Sequence, residues 1–266
     1  MGDINYAPLI DDMVWSYSRI KTFEDCPYRW YLKYIRRLRG KDMFFASYGT
    51  FMHKLIELYL KGEKNSKRLV DMYLQDFRNE VVGFAPSKKI FTNYFTSGLQ
   101  YLKNIQPFPY KMLDVEKRVD FSVNGIPFCG YIDFLGEKDG SFYVVDNKSR
   151  ALKQRSNRAK PTKSDKELDN YLRQLYLYSI AVEEQYGVQP NALCFNCFRN
   201  GMFITEPFKD NAYCESKDWL SKSIDTIREE SEFNPSVEFF KCSYLCEMQE
   251  HCEYYDLIPC SWKSRI

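Results

Sequence analysis

The sequence predicts a mixed α/β fold: a central mixed β-sheet flanked by helices, with a helical N-terminal region and a cysteine-rich tail. Three observations carry that expectation. Apolar residues recur at helical spacing up to about residue 105. The period then shortens to β-branched and aromatic runs punctuated by Asn124-Gly125, Asp139-Gly140 and Asn200-Gly201. Helical spacing returns over Leu168–Gln185 and Asp210–Glu230, which places helices against a sheet.

Taken in order, Ser16 to about Arg39 reads as helix, turn, helix, with Ser16 or Ser18 as a cap and Pro27 opening the second segment. A helix over about Ala46–Lys61 carries Phe51, Leu55, Leu58 and Tyr59 on one face, and two more follow near Ser66–Val82 and Lys88–Ile105. Leu113–Val123, Pro127–Leu135 and Ser141–Asp146 are strands of a meander whose Asn-Gly and Asp-Gly links are hairpin turns. The polar, basic stretch Arg150–Lys166 reads as a mobile loop. Leu168, Leu172, Leu175, Ser179 and Val182 form the apolar stripe of the next helix. Asn191–Arg199 and Met202–Glu206 make a second hairpin. These segments predict one unit over 1–266: a mainly helical part (1–110), a core with the sheet (111–210), and a final helix and tail (211–266).

With 44% hydrophobic and 28% charged residues, a chain of 266 residues can bury a sizeable core, which excludes wholesale disorder. Lysine and arginine number 38 against 36 acidic residues, so any nucleic-acid surface must be a local patch. The opening MGDINYAPLIDDMVW lacks a basic segment leading into an apolar run, and no stretch is apolar enough to span a membrane. A cytoplasmic protein is the expectation. In that setting nine cysteines, an odd number, favour free thiols or metal-bound thiolates over disulfides.

The segment GYIDFLGEKDGSFYVVDNKS is the most informative. A two-residue turn at Asp139-Gly140 pairs Lys138 with Ser141, and counting back sets Asp133 opposite Asp146. Opposed side chains share a face, and like charges there repel. Lys148 leaves that same face two residues on. A divalent cation between the aspartates would turn repulsion into coordination, with Lys148 orienting or deprotonating a water or stabilising charge on a phosphate.

This segment resembles the G-x-I-D … D-x-K core of the PD-(D/E)XK nuclease superfamily. Other segments resemble its RecB-like branch: S-x-S-R-I-x-T-F-x-x-C-P-Y-R-W-Y-L-K-Y-I near the start, Gly49-x-x-x-His53, and Gln174-x-x-x-Tyr178. The resemblance implies a restriction-endonuclease-like core with Asp133, Asp146 and Lys148 as catalytic residues. It implies a Mg²⁺ or Mn²⁺ ion held by His53, Asp133 and Asp146 with the carbonyl of Asn147, and DNA contacts from Gln174 and Tyr178. Glu57, one turn from His53, and Glu116, on the preceding strand, are accessory candidates.

The tail reads KCSYLCEMQEHC. Cys242, Cys246 and Cys252 cannot complete a four-thiolate site alone, and Cys26 is the natural fourth ligand. Zinc or an iron–sulfur cluster would suit such a set. The combination resembles iron–sulfur RecB-like nucleases, such as the AddB nuclease domain and the CRISPR-adaptation exonuclease family, and so implies a 4Fe-4S cluster. Three residues separate Cys242 from Cys246 where that pattern has two, which leaves Cys260 as an alternative to Cys242. Cys194-x-x-Cys197 lies within a predicted strand and lacks a second pair, and Cys129 and Cys214 read as ordinary thiols.

Two basic stretches, Lys33–Lys41 and Lys148–Lys166, could follow a nucleic-acid backbone. Arg150, Lys153 and Arg155 in the second border the carboxylate hairpin. The expected activity is therefore a metal-dependent deoxyribonuclease, an exonuclease on single strands or ends, serving recombination, repair, phage replication or CRISPR-like spacer processing. A non-catalytic iron–sulfur subunit that binds DNA ends is the alternative. No G-x-x-x-x-G-K-[ST] occurs, so unwinding would need a helicase or a recombination or integration partner.

Overall fold

The computed structural model describes residues 5–258. Helix α1 (Ala7–Asp11) is followed by α2 (Tyr17–Asp25), which is capped by the Ser16 hydroxyl accepting from the Arg19 N–H. Pro27 opens α3 (Pro27–Trp30), which continues as a π-helical turn over Tyr31–Ile35, so the second predicted helix stops short of Arg39. Helices α4 (Phe44–Leu60), α5 (Ser66–Glu80) and α6 (Lys88–Lys103) form a layer with an aromatic-rich core of its own, built on Phe44, Tyr48, Phe51, Tyr73 and Phe77.

The sheet has five strands in the order β1 (Lys111–Val123), β2 (Ile126–Lys138), β3 (Ser141–Asn147), β4 (Ala192–Cys197) and β5 (Met202–Pro207). Neighbours are antiparallel except β3 and β4, which are parallel. The connection between those two carries α7 (Lys163–Tyr186) across the sheet. At the two turns of the β1–β3 meander the pair of residues takes positive φ, 52° and 79° at Asn124-Gly125 and 53° and 77° at Asp139-Gly140, whereas at Asn200-Gly201 only Gly201 does, at 66°, within a longer turn. The paired positive-φ conformation matches the twist of the strands it joins, and it locks the register. Pairing accordingly runs from Lys138 with Ser141 to Phe134 with Val145.

One face of the sheet packs on α7, α8 (Asp210–Glu229) and the first helices. Ile10, Trp30, Val144, Leu172, Phe195 and Phe233 share that core, so segments distant in sequence are held together. The stripe Leu168, Leu172, Leu175, Ser179 and Val182 is buried along α7, as its period predicts.

The basic stretch at 150–166 departs from expectation, because hydrogen bonds fix it. Thr162 and Asp165 form a capping box that starts α7 at Lys163. Asp165 also accepts from the backbone N–H and hydroxyl of Ser156, and these donors hold its carboxyl well below the usual range. Arg155 lies 2.6 Å from both Glu206 and Asp169. Helix α9 (Phe239–Tyr244) begins the cysteine-rich tail.

Candidate active site

Three neighbouring strands bring one carboxylate each to the same level of the sheet. Val115 pairs with Phe134 and Lys117 with Ile132, which sets Glu116 opposite Asp133. Phe134 pairs with Val145, so the next position sets Asp133 opposite Asp146. Glu116 has a left-handed φ of 50°, rare for a non-glycine residue inside a strand and a form of local strain that clusters at functional sites.

Helix α4 delivers His53 to this row. Its Nδ1 lies 3.4 Å from Asp133 Oδ2 and 3.6 Å from Glu116 Oε1, and its Nε2 is 2.8 Å from the carbonyl oxygen of Asn147. A carbonyl can only accept, so Nε2 carries a proton. In the ion-free protein Nδ1 carries a proton as well, facing the two carboxylates, and a cation would take that proton's place. One ligand atom from each of His53, Glu116 and Asp133 falls within 4.8 Å of the others.

The electrostatics are those of concentrated negative charge. Asp133 is buried, and burial followed by the charge of Asp146 raises its carboxyl to about 7, against the opposing pull of His53 and the Asn147 N–H. That N–H donates to Asp133 Oδ2 at 2.6 Å. Burial works against a charged His53, yet the Glu116 hydrogen bond and the fields of Asp133 and Asp146 lift it to about 9. An imidazole with the Glu116 and Asp133 carboxylates beside it, and Asp146 on the neighbouring strand, suits Mg²⁺ or, especially, Mn²⁺.

Asp146 faces α7 and pairs with Lys148, whose Nζ lies 2.8 Å from Oδ2. Lys148 also donates to Gln174 Oε1 at 3.0 Å, and Gln174 Nε2 donates to the Tyr178 hydroxyl at 3.0 Å. Burial opposes the ammonium, but Asp146 more than offsets it, so Lys148 is held above its ordinary value and stays charged. Tyr178 lies so close to Gly130 that a Cβ there would sit 2.3 Å from its ring, which is why β2 carries a glycine beneath the helix.

The sequence profile of the PD-(D/E)XK nuclease superfamily matches residues 14–253, nearly the whole chain. The chain belongs to this superfamily. It is accordingly a nuclease, a phosphodiester hydrolase, and nucleases of this superfamily use divalent metals. A solved structure from Eubacterium rectale, named as a candidate exonuclease, is similar in fold with a TM-score of 0.50 at 14% identity. The likeness covers 96% of this chain and 92% of that one. No curated protein matches. Among the described residues no helix is long and apolar enough to cross a membrane.

The remaining candidates of this nuclease fall into place unevenly. Glu57 turns away to pair with Lys61 rather than supporting His53. Arg150 pairs with Glu167 and Arg155 is clamped by Glu206 and Asp169, whereas Lys153 is exposed. Cys26, Cys242, Cys246 and Cys252 line one cavity of about 80 Å³ between α3 and the tail. Cys26 Sγ accepts from the N–H groups of Arg29 and Ser236, both at 3.4 Å. Burial pushes the Cys246 thiol up to about 11 and raises Cys242 and Cys252 as well. Cys260 lies outside the described residues.

Sequence reasoning missed Asn196. It is buried on β4, and its Nδ2 donates to Asn147 Oδ1 and to the Tyr101 hydroxyl, both at 2.7 Å. Its only sequence signal is an asparagine inside an apolar strand, and a buried amide there must find partners.

Proposed function

We propose that this nuclease is a metal-dependent deoxyribonuclease that trims single-stranded DNA or DNA ends as an exonuclease, in recombination, repair, phage replication or spacer processing. The observation that carries the reading is the convergence of His53, Glu116 and Asp133 beside the Asp146–Lys148 pair. His53, Asp133 and Asp146 would hold Mg²⁺ or Mn²⁺, with Glu116 as a further oxygen donor. When bound, the ion supplies the Lewis acidity that hydrolysis of a phosphodiester requires.

The chain's own groups divide the remaining work. Asn147 orients Asp133 through its N–H and His53 through its carbonyl, so both ligands are aimed before any ion arrives. Lys148, kept charged by Asp146, suits stabilisation of negative charge on the scissile phosphate better than removal of a proton from water. Gln174 and Tyr178 fix the direction of that ammonium, and Lys153 is free to follow the DNA backbone.

The reading includes a 4Fe-4S cluster on Cys26, Cys242, Cys246 and Cys252, closing the tail onto the N-terminal segment of a single nuclease unit. Its support is geometric. The four thiols line one cavity between α3 and the tail, which places them to share a single inorganic core. End-labelled single- and double-stranded DNA, incubated with Mn²⁺ or Mg²⁺, tests the activity. The wild type should shorten labelled strands and Asp146→Ala should not; equal behaviour of the two proteins would leave only the scaffold alternative.

A further inference from the structure

Behind the carboxylate centre, between α6 and the β4–β5 hairpin, lies a cavity of about 830 Å³. Two residues belong to both places. Phe198 lines the cavity and meets the His53 ring edge-on at 6.2 Å. Asn196 lines it too, and its amide joins Asn147 on the catalytic side to Tyr101 on the cavity side. The cavity is thus one side chain removed from the groups that would handle the scissile phosphate.

Its lining has a definite chemistry. Tyr101, Phe108 and Phe203 present aromatic rings, Gln100 and Gln106 present amides, and among the described residues the one charged side chain is Arg199. Among the described residues no carboxylate lines it. Arg199 lies 4.7 Å over the Tyr94 ring, and its Nε is buried with no hydrogen-bond partner. Aromatic faces stack bases, amides read base edges, and a guanidinium grips a phosphate. The volume falls in the range of pockets that enclose a molecule of nucleotide size.

We propose that this cavity is a nucleotide subsite: it takes an unpaired base from the strand next to the scissile bond, while Arg199 holds an adjoining phosphate. The proposal rests on the nuclease reading above and deepens it. A base can enter such a pocket only after leaving its stack and its partner. Single-stranded DNA and frayed ends therefore fit, and an intact duplex does not.

The test uses a fluorescein-labelled single-stranded dodecamer containing 5-iodouracil and its blunt duplex, both bound to the full chain without added metal. Anisotropy should favour the single strand by about tenfold or more, the scale of base–aromatic stacking. Irradiation should attach the iodouracil to peptides carrying Tyr101, Phe108 or Phe203. Arg199→Gln should weaken single-strand binding about tenfold, as expected for a lost charge-assisted bond, and Gln100→Ala should lower adduct yield. Adducts only elsewhere, or an Arg199→Gln protein that binds like the parent, would overturn the proposal. Cleavage of the same dodecamer with Mn²⁺ is scored separately. Cleavage without pocket adducts sinks the subsite alone, whereas no cleavage of any DNA sinks the nuclease reading and leaves the adducts to judge the pocket.

Discussion

Glu116, Asp133 and Asp146 come from three strands paired side by side, whereas Cys26 and the tail cysteines come from opposite ends of the chain. The carboxylates are gathered by backbone hydrogen bonds that form with or without an ion, and the Asn147 N–H even fixes one oxygen of Asp133. The thiols are gathered by little beyond themselves. Burial raises three of them, and the tail is strapped down by Glu247, which pairs with Arg29 and Lys33. A metal centre made from a sheet is preorganised and serves chemistry. The cluster proposed on the four cysteines would serve the fold instead, because it would close a very long loop.

The sharpest way to break this contrast is Cys246→Ser. If the cysteines hold a cluster, anaerobically purified protein should be brown, and the variant should lose colour and several kcal/mol of stability, lowering Tm by on the order of 10 °C. A colourless wild type with bound zinc, or an unchanged melt, would remove the structural half of the comparison. Next comes Asp133→Asn. Mn²⁺-dependent cleavage should fall more than about 100-fold, beyond what a residue merely supporting a ligand would cost, while the fold survives.

The same substitution carries a stability signature opposite to that of the cysteine. In chelator, the folded carboxyl of Asp133 titrates at about 7, above its unfolded value near 4. The stability it confers is complete below the unfolded pKa and is lost as pH rises through about 7. Asp133→Asn should therefore flatten the decline in Tm between about pH 4 and 7 and melt higher than wild type at pH 8. A lower melt there would mean that the buried carboxylate is not under strain. Glu116→Gln should be milder, about 10- to 100-fold in cleavage, if it is a supporting donor. Smallest is Thr162→Ala, which removes a helix cap far from both centres. It should cost about 1 kcal/mol of stability by denaturant titration and leave cleavage intact.

What the sequence disclosed follows the range of the interactions. The opposition of Asp133 and Asp146 was legible because an Asp-Gly turn fixes register locally and the side-chain period is two. The nearness of Lys148 to Asp146 followed from the same parity. The position of Glu116 beside His53 was only half legible. A register shift between Met112 and Asp114, together with a left-handed φ at Glu116 itself, sets its direction, and no residue pattern announces either. Asn196 was hidden because β4 reaches β3 through a parallel crossover, which is a long-range pairing. For the same reason the basic loop looked mobile: Glu206, which clamps Arg155, arrives from the second hairpin.

Asp146, Asn147 and Lys148 leave the polypeptide on alternating sides. The aspartate and lysine reach toward α7 through Gln174, and the asparagine reaches through Asn196 to Tyr101 on α6. Three consecutive residues thereby rivet two helical layers through the thickness of the sheet. Neither layer can drift without dragging the gap between imidazole and amine, so a substitution deep under α6 should be felt at the phosphate as directly as one under α7.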